Sequence, residues 1–248
     1  VLDDWIQPEW PAVPRVRAVC TTRHGGISTG PYSSMNPADH VGDDPEAVRS
    51  NRRRLREVLQ LPAAPCWLQQ VHGTTVIDAA AAGARDATPV ADAAWCSQPG
   101  VVCAVLTADC LPVLLCDTAG RHVAALHAGW RGLAAGVIEQ TIEAMQQPGK
   151  RLLAWFGPAI GPGAYTVGDE VREIFLEHDR QAEAAFQPGP GGSWMADLYR
   201  LARQRLADRD VTAVYGGREC SYTDAERFFS YRREAVTGRM ATLIWLQD

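Results

Sequence analysis

Apolar positions follow two rhythms along this chain. In the first, Val48, Leu55, Val58 and Leu59 fall on one stripe of a 3.6-residue period. Asp44 and Pro45 stand just ahead of the stripe as an N-cap and a first-turn proline, so a helix is expected to about Leu59. Arg49, Arg52, Arg53, Arg54 and Arg56 lie mostly off the stripe and read as a solvated face. In the second rhythm the apolar residues run almost without a break. Stretches 101–106, 112–116, 122–126 and 152–156 have this form, which suits strands covered on both faces. Further strands are expected at 16–22, 75–77, 211–215 and 240–246, and helices at about 132–147, 169–178 and 196–208.

Between these elements lie two glycine-rich loops. One is R-H-G-G-I-S-T-G-P-Y at 23–32, the other G-P-A-I-G-P-G-A-Y-T-V-G at 157–168. The Ala-rich stretch 79–91 reads as a surface segment leading to Asp92. No repeat and no flexible linker interrupts the alternation. The expectation is one α/β domain over 1–248 with a mixed sheet, since strands and helices do not alternate as a regular βαβ series.

Composition narrows the functional classes. A 46% hydrophobic content supports a sizeable core, and a net charge of −5 lacks the basic balance of a dedicated nucleic-acid binder. No apolar run approaches the roughly 18 residues of a membrane span. The segment VLDDWIQPEW is acidic and has no apolar signal core, so the seven cysteines are expected reduced, in the cytoplasm. Cys103 and Cys116, within apolar runs, read as small buried residues. Lys150 is the single lysine, and no phosphate-loop motif surrounds it. Anion recognition therefore falls to Arg, His or backbone N–H groups.

Three segments place metal-competent side chains beside apolar runs: L-Q-Q-V-H-G (68–73), V-L-T-A-D-C-L-P (105–112) and A-A-L-H-A-G-W-R-G (124–132). A buried strand is expected to stop at Cys110 and at His127, where α/β folds commonly place their sites. His72, Cys110 and His127 make a sensible zinc set with one position left open. Separations of 38 and 17 residues are not finger-like, so spacing alone leaves a second reading open. In that reading Cys110 is a nucleophile, His127 its base, and Asp109 or another carboxylate the orienting group. Arg23, Arg131 and Arg232 are the anion-binding candidates, since each lies in one of these motif-like or glycine-rich segments; Arg131 follows His127 by four residues.

The chain resembles the YfiH family, also called laccase-domain or polyphenol oxidase proteins, along nearly its whole length. The resemblance rests on T-R-H-G-G-I-S (22–28), G-P-Y-S-S-M-N (30–36), H-V-G-D-D-P (40–45), N-R (51–52) and Q-V-H-G (70–73). It continues through T-A-D-C-L-P-V-L (107–114), H-A-G-W-R-G (127–132), G-P-A-I-G-P (157–162) and F-S-Y-R-R (229–233). It implies a layered α/β/β/α fold and a zinc site from His72, Cys110 and His127, with copper as an alternative metal. The implied activity is phosphorolysis of adenosine, inosine and S-methyl-5′-thioadenosine, with adenosine deamination. Two further activities are attached to the family: a copper-dependent polyphenol oxidase, and removal of L-serine from a UDP-N-acetylmuramate precursor. The oxidase fits poorly with six histidines and no His-x-His pair. The deaminase lacks the H-x-E and P-C-x-x-C motifs of zinc nucleobase deaminases. Expected partners are a purine nucleoside and phosphate, with no nucleic acid and no membrane, and the chain is expected to act as a monomer.

Overall fold

The structure, a computed structural model, describes residues 4–82 and 87–248. The strands are β1 (Val16–Cys20), β2 (Val76–Asp78), β3 (Ala93–Cys96), β4 (Val102–Thr107), β5 (Leu111–Asp117), β6 (Val123–Ala128), β7 (Leu152–Phe156), β8 (Thr166–Val167), β9 (Phe186–Pro188), β10 (Trp194–Ala196), β11 (Ala213–Gly216) and β12 (Met240–Leu246). The helices are α1 (Pro45–Leu59), α2 (Ala79–Ala82), α3 (Trp130–Ala135), α4 (Val137–Met145), α5 (Asp169–His178) and α6 (Leu198–Ala207). Among the described residues no helix is long and apolar enough to cross a membrane.

Two sheets stack face to face. A mixed six-stranded sheet runs β11-β7-β5-β6-β3-β2, and an antiparallel three-stranded sheet runs β1-β12-β4. The strands of β11 with β7 and of β2 with β3 are parallel; the other neighbours in the large sheet are antiparallel. A third, small antiparallel sheet, β8-β10-β9, lies outside this pair.

The period-two alternation of strand side chains sorts the core into layers. On β12, Ala241, Leu243 and Trp245 face Leu55, Val58 and Leu59 of α1, while Met240, Ile244 and Leu246 face the large sheet. On β5, Leu114 and Cys116 point between the sheets, and Leu111, Val113 and Leu115 point to the helices α3 to α6. The order is therefore α1, small sheet, large sheet, helices, which is the expected α/β/β/α arrangement. Strands covered on both faces explain the unbroken apolar runs.

Local differences from the sequence reading have physical causes. The helix expected over 132–147 is two helices, because Gly136 adopts φ +101° and ends α3 before α4 begins. Strand β4 stops at Thr107, so Cys110 sits in the turn ahead of β5, and His127 is the penultimate residue of β6. Of the stretch expected at the surface, Ala79 and Ala91 are buried, and 83–86 lie outside the described residues. The arginines of α1 follow the expected solvated face, except that Arg52 is partly covered, pairs with Asp39 and stacks over Trp67.

Candidate metal centre

The site lies at one end of the crevice between the two sheets. His127 shares a face of β6 with Val123 and Ala125, so its side chain points between the sheets. Pro112 of β5 lies directly opposite His127, which brings the Cys110 turn alongside. His72 comes from the loop ahead of β2. The three ligand atoms lie within 4.8 Å of one another, and among the described residues this is the one such cluster of three or more His, Cys, Asp or Glu. Cys110 Sγ is 3.8 Å from His72 Nε2, and the two imidazole rings meet edge to face at 4.7 Å. His127 is buried, Cys110 half-buried and His72 exposed, so one side of the cluster faces solvent.

Asp92 organises both histidines and was concealed in the Ala-rich stretch. Its side chain is wholly buried. His127 Nδ1 donates to Asp92 Oδ1 at 2.7 Å, which leaves Nε2 for a metal or for Cys110. The same carboxylate accepts the backbone N–H groups of Val71, His72 and Gly73 at 3.2, 2.9 and 2.7 Å. Those bonds hold His72 at φ +60°, a backbone conformation uncommon for histidine. Of the two possibilities left open for the orienting group, Asp109 or another carboxylate, the one on His127 is the other carboxylate, Asp92. Asp109 instead accepts from Ser221 Oγ at 2.6 Å and from the backbone N–H of Arg232 at 2.6 Å.

The charges reinforce one another. Burial pushes the Cys110 thiol up, but the imidazoles of His127 and His72 outweigh it and bring it down to about 6. Burial lowers His127, yet Cys110 and Asp92 raise it to about 9. In the metal-free protein these shifts favour a thiolate beside an imidazolium at neutral pH. Burial would also raise Asp92, but the His127 and backbone N–H bonds hold it below the usual carboxylate range.

Close approach to the cluster depends on Gly129. A Cβ there would meet Cys110 Sγ and His72 Cδ2, each at 2.9 Å. This accounts for the glycine that follows His127-Ala128.

The expected anion-binding arginines divide. Arg23 braces the fold: its Nε and Nη1 donate to the carbonyls of Ser33 and Ala225 at 3.0 Å each, and it stacks over Phe229. The charges that act on it most are those of Glu234 and Arg233. Arg232 and Arg131 belong to the site's surroundings. Arg232 stacks over Tyr165 at 5.2 Å and donates to the Thr166 carbonyl at 2.9 Å. Arg131 lies over Trp130 at 4.4 Å. Burial raises the Tyr165 phenol and the Cys110 charge adds to the rise, while Arg232 and Arg131 oppose it. Tyr165 therefore shares its surroundings with the thiol and both guanidinium groups.

A zinc-type ion suits this donor set. Two imidazoles and a low-lying thiolate are its preferred ligands, and one side of the cluster stays open for a water or substrate atom. Copper(II) accepts the same donors.

Comparison with known proteins agrees with this picture. The family model described as Multi-copper polyphenol oxidoreductase laccase matches residues 17–247. A Pseudomonas aeruginosa protein named as a purine nucleoside phosphorylase is 54% identical over the full length of both chains. The purine nucleoside phosphorylase YfiH of Escherichia coli is 52% identical over 97% of this chain and 98% of its own. Among solved structures, a Neisseria meningitidis protein superposes with a TM-score of 0.95 at 48% identity, covering 99% of this chain and all of that one. YlmD of Geobacillus stearothermophilus gives 0.89 at 31%, over 98% and 96% of the two chains. With near-complete coverage in sequence and in fold, the chain belongs to the multi-copper polyphenol oxidoreductase laccase family, the family of YfiH.

Proposed function

We propose that this chain is a metal-dependent purine nucleoside phosphorylase whose metal is held by His72, Cys110 and His127. The observation that carries the metal is the convergence of these ligands around one open side, with Asp92 fixing both histidines. The names of relatives about half identical along the whole chain support the reaction. Adenosine, inosine and S-methyl-5′-thioadenosine are the substrates, with deamination of adenosine at the same centre. Zinc is the metal we assign, and copper(II) can compete for the same donors. A single three-ligand cluster among the described residues gives a multi-copper oxidase chemistry nowhere to spread its ions. The seven free thiols suit a protein acting in the cytoplasm.

In phosphorolysis a phosphate oxygen bonds to C1′ of the ribose, and the C1′–N9 bond breaks toward the purine. When bound, the metal supplies Lewis-acid stabilisation of an oxygen at the open position. The protein's own groups do the rest. Asp92 keeps the His127 ring in the tautomer that presents Nε2, and it pins the His72 loop. Arg131 and Arg232 set positive charge beside Tyr165, where an anionic co-substrate is favoured. Gly129 keeps the approach free of side-chain bulk.

The test is inosine turnover with and without phosphate. Phosphate-dependent release of hypoxanthine and ribose 1-phosphate is expected, and Cys110→Ala should lose both bound metal and turnover. Intact zinc content and intact turnover in Cys110→Ala would overturn the assignment. Release of serine from a UDP-linked muramoyl-serine, without any phosphorolysis, would replace it with the amidase reaction.

A further inference from the structure

Arg239 is a cation beside the Cys110 turn with no ion-pair partner among the described residues. It stands immediately before β12. Met240 pairs with Thr107 in the antiparallel register of β12 and β4, so Arg239 is carried alongside Ala108, Asp109 and Cys110. Its backbone N–H donates to Asn36 Oδ1 at 3.0 Å, and its Nη1 donates to the carbonyls of Thr237 and Gly238, also at 3.0 Å. The guanidinium lies over the Tyr231 ring at 5.8 Å. These contacts aim the group without neutralising it.

Of the other arginines in the segment, Arg232 also lacks an ion pair but is turned to the Tyr165 ring and the Thr166 carbonyl, while two are paired. Arg233 gives its N–H groups to the carbonyls of Ser221, Tyr222 and Phe228 and pairs with Glu234. Arg227 pairs with Glu219 and Asp224. Among the described residues, Arg239 has no carboxylate within 4.0 Å. The negative groups that act on it are Cys110 and Asp109, followed by the phenols of Tyr231 and Tyr32. Asp109 is already taken by Ser221 and by the Arg232 backbone, and Cys110 belongs to the triad. A partly buried guanidinium with no counter-ion is costly to keep unless an anion completes it.

Resting on the phosphorylase reading above, we propose that Arg239 binds the phosphate co-substrate, taking the place that the sequence offered to Arg23. The planar fork presents its remaining N–H groups, Nε and Nη2, to phosphate oxygens in the paired geometry that favours arginine over lysine. Arg232 and Arg131 add positive charge around Tyr165, which the Cys110 charge also reaches. Phosphate held here would lie beside the Cys110 turn.

The experiment measures phosphate and inosine dependence separately in the zinc-loaded full chain, together with direct calorimetric binding of inorganic phosphate. Arg239→Ala and Arg239→Lys are compared with wild type, and Arg53→Ala, on the exposed face of α1, serves as the control. We expect the phosphate KM to rise about ten- to hundredfold in Arg239→Ala, the scale of a lost charge-assisted hydrogen bond. Arg239→Lys should recover part of that loss, while the inosine KM stays within about twofold and zinc content is unchanged. An unchanged phosphate KM, or an equal rise in both KM values, overturns the proposal. Should wild type show no phosphate-dependent turnover, the phosphorylase reading fails by itself. The calorimetry then decides the site: phosphate binding that Arg239→Ala abolishes upholds it, and binding that survives removes it.

Discussion

His127 and Asp92 are joined twice. The imidazole Nδ1 donates to the carboxylate at 2.7 Å, and the His127 backbone N–H donates to the Asp92 carbonyl at 2.7 Å. The ring is thereby fixed in position and in tautomer. Asp92→Asn keeps an acceptor for the loop N–H groups but disturbs the bond to the ring. Metal affinity should fall about 10- to 100-fold, measured by competition with a chromophoric chelator. Stability should fall by about 1–3 kcal/mol in urea denaturation, because a buried network is left partly unmatched.

The metal-free thiol has a pH signature. With Cys110 down at about 6, its thiolate is present above that pH and is lost as the pH falls through it. Alkylation of the apo protein by iodoacetamide should therefore be on its plateau at pH 7 to 8. Cys20 and Cys116, pushed up to about 12 by burial, should stay unmodified. Cys220, lowered and partly exposed, is the one expected competitor, and peptide mapping separates the two.

Proton competition at His127 runs the other way. Its pKa, raised to about 9, keeps the metal-facing nitrogen protonated at neutral pH in the apo protein. Metal uptake must release that proton, so affinity should rise steadily from pH 6 to pH 9. A pH-independent affinity across that range would contradict the thiolate–imidazolium pair.

Much of this was legible in the chain because buried elements write strong patterns. Strand β12 runs 240–246 as expected, since all its residues are buried and bounded by a turn. Helix α1 was legible through Asp44, whose side chain accepts from the Glu46 N–H as a cap should. The triad was legible because polar ligands stand out beside apolar runs. Asp92 was not, because alanine carries no periodic signal, and strand β3 (Ala-Ala-Trp-Cys) is short and poor in β-branched residues. Nor was the position of Arg239, which depends on the register of β12 against β4. A glycine inside an apolar pattern, Gly136, gave no sign of which side of the tolerance it would fall.

Gly129→Ala isolates crowding at the cluster from loss of a ligand. The added methyl meets Cys110 and His72 side chains rather than backbone. Turnover should fall on the order of a hundredfold through displaced ligands. The change in stability should stay near about 1 kcal/mol, as expected for a helix N-cap. A melting curve alongside the assay distinguishes the two.

Beneath the large sheet, Arg205 of α6 pairs with Glu139 of α4, both buried. Arg205→Ala strands the Glu139 carboxylate and should cost about 3–5 kcal/mol by urea denaturation. Turnover under stabilising conditions should remain, because the pair lies away from the triad.

Strand β12 is the last element of the chain, yet it is the centre of the small sheet, paired with Val16–Cys20 on one side and Val102–Thr107 on the other. Without it, β1 and β4 have no common neighbour in the sheet. Segments as distant in sequence as Val16 and Leu246 must therefore pair before the small sheet is complete, and contacts of such separation slow folding. A metal held by the triad would therefore favour the folded chain, because the unfolded one does not hold His72, Cys110 and His127 together.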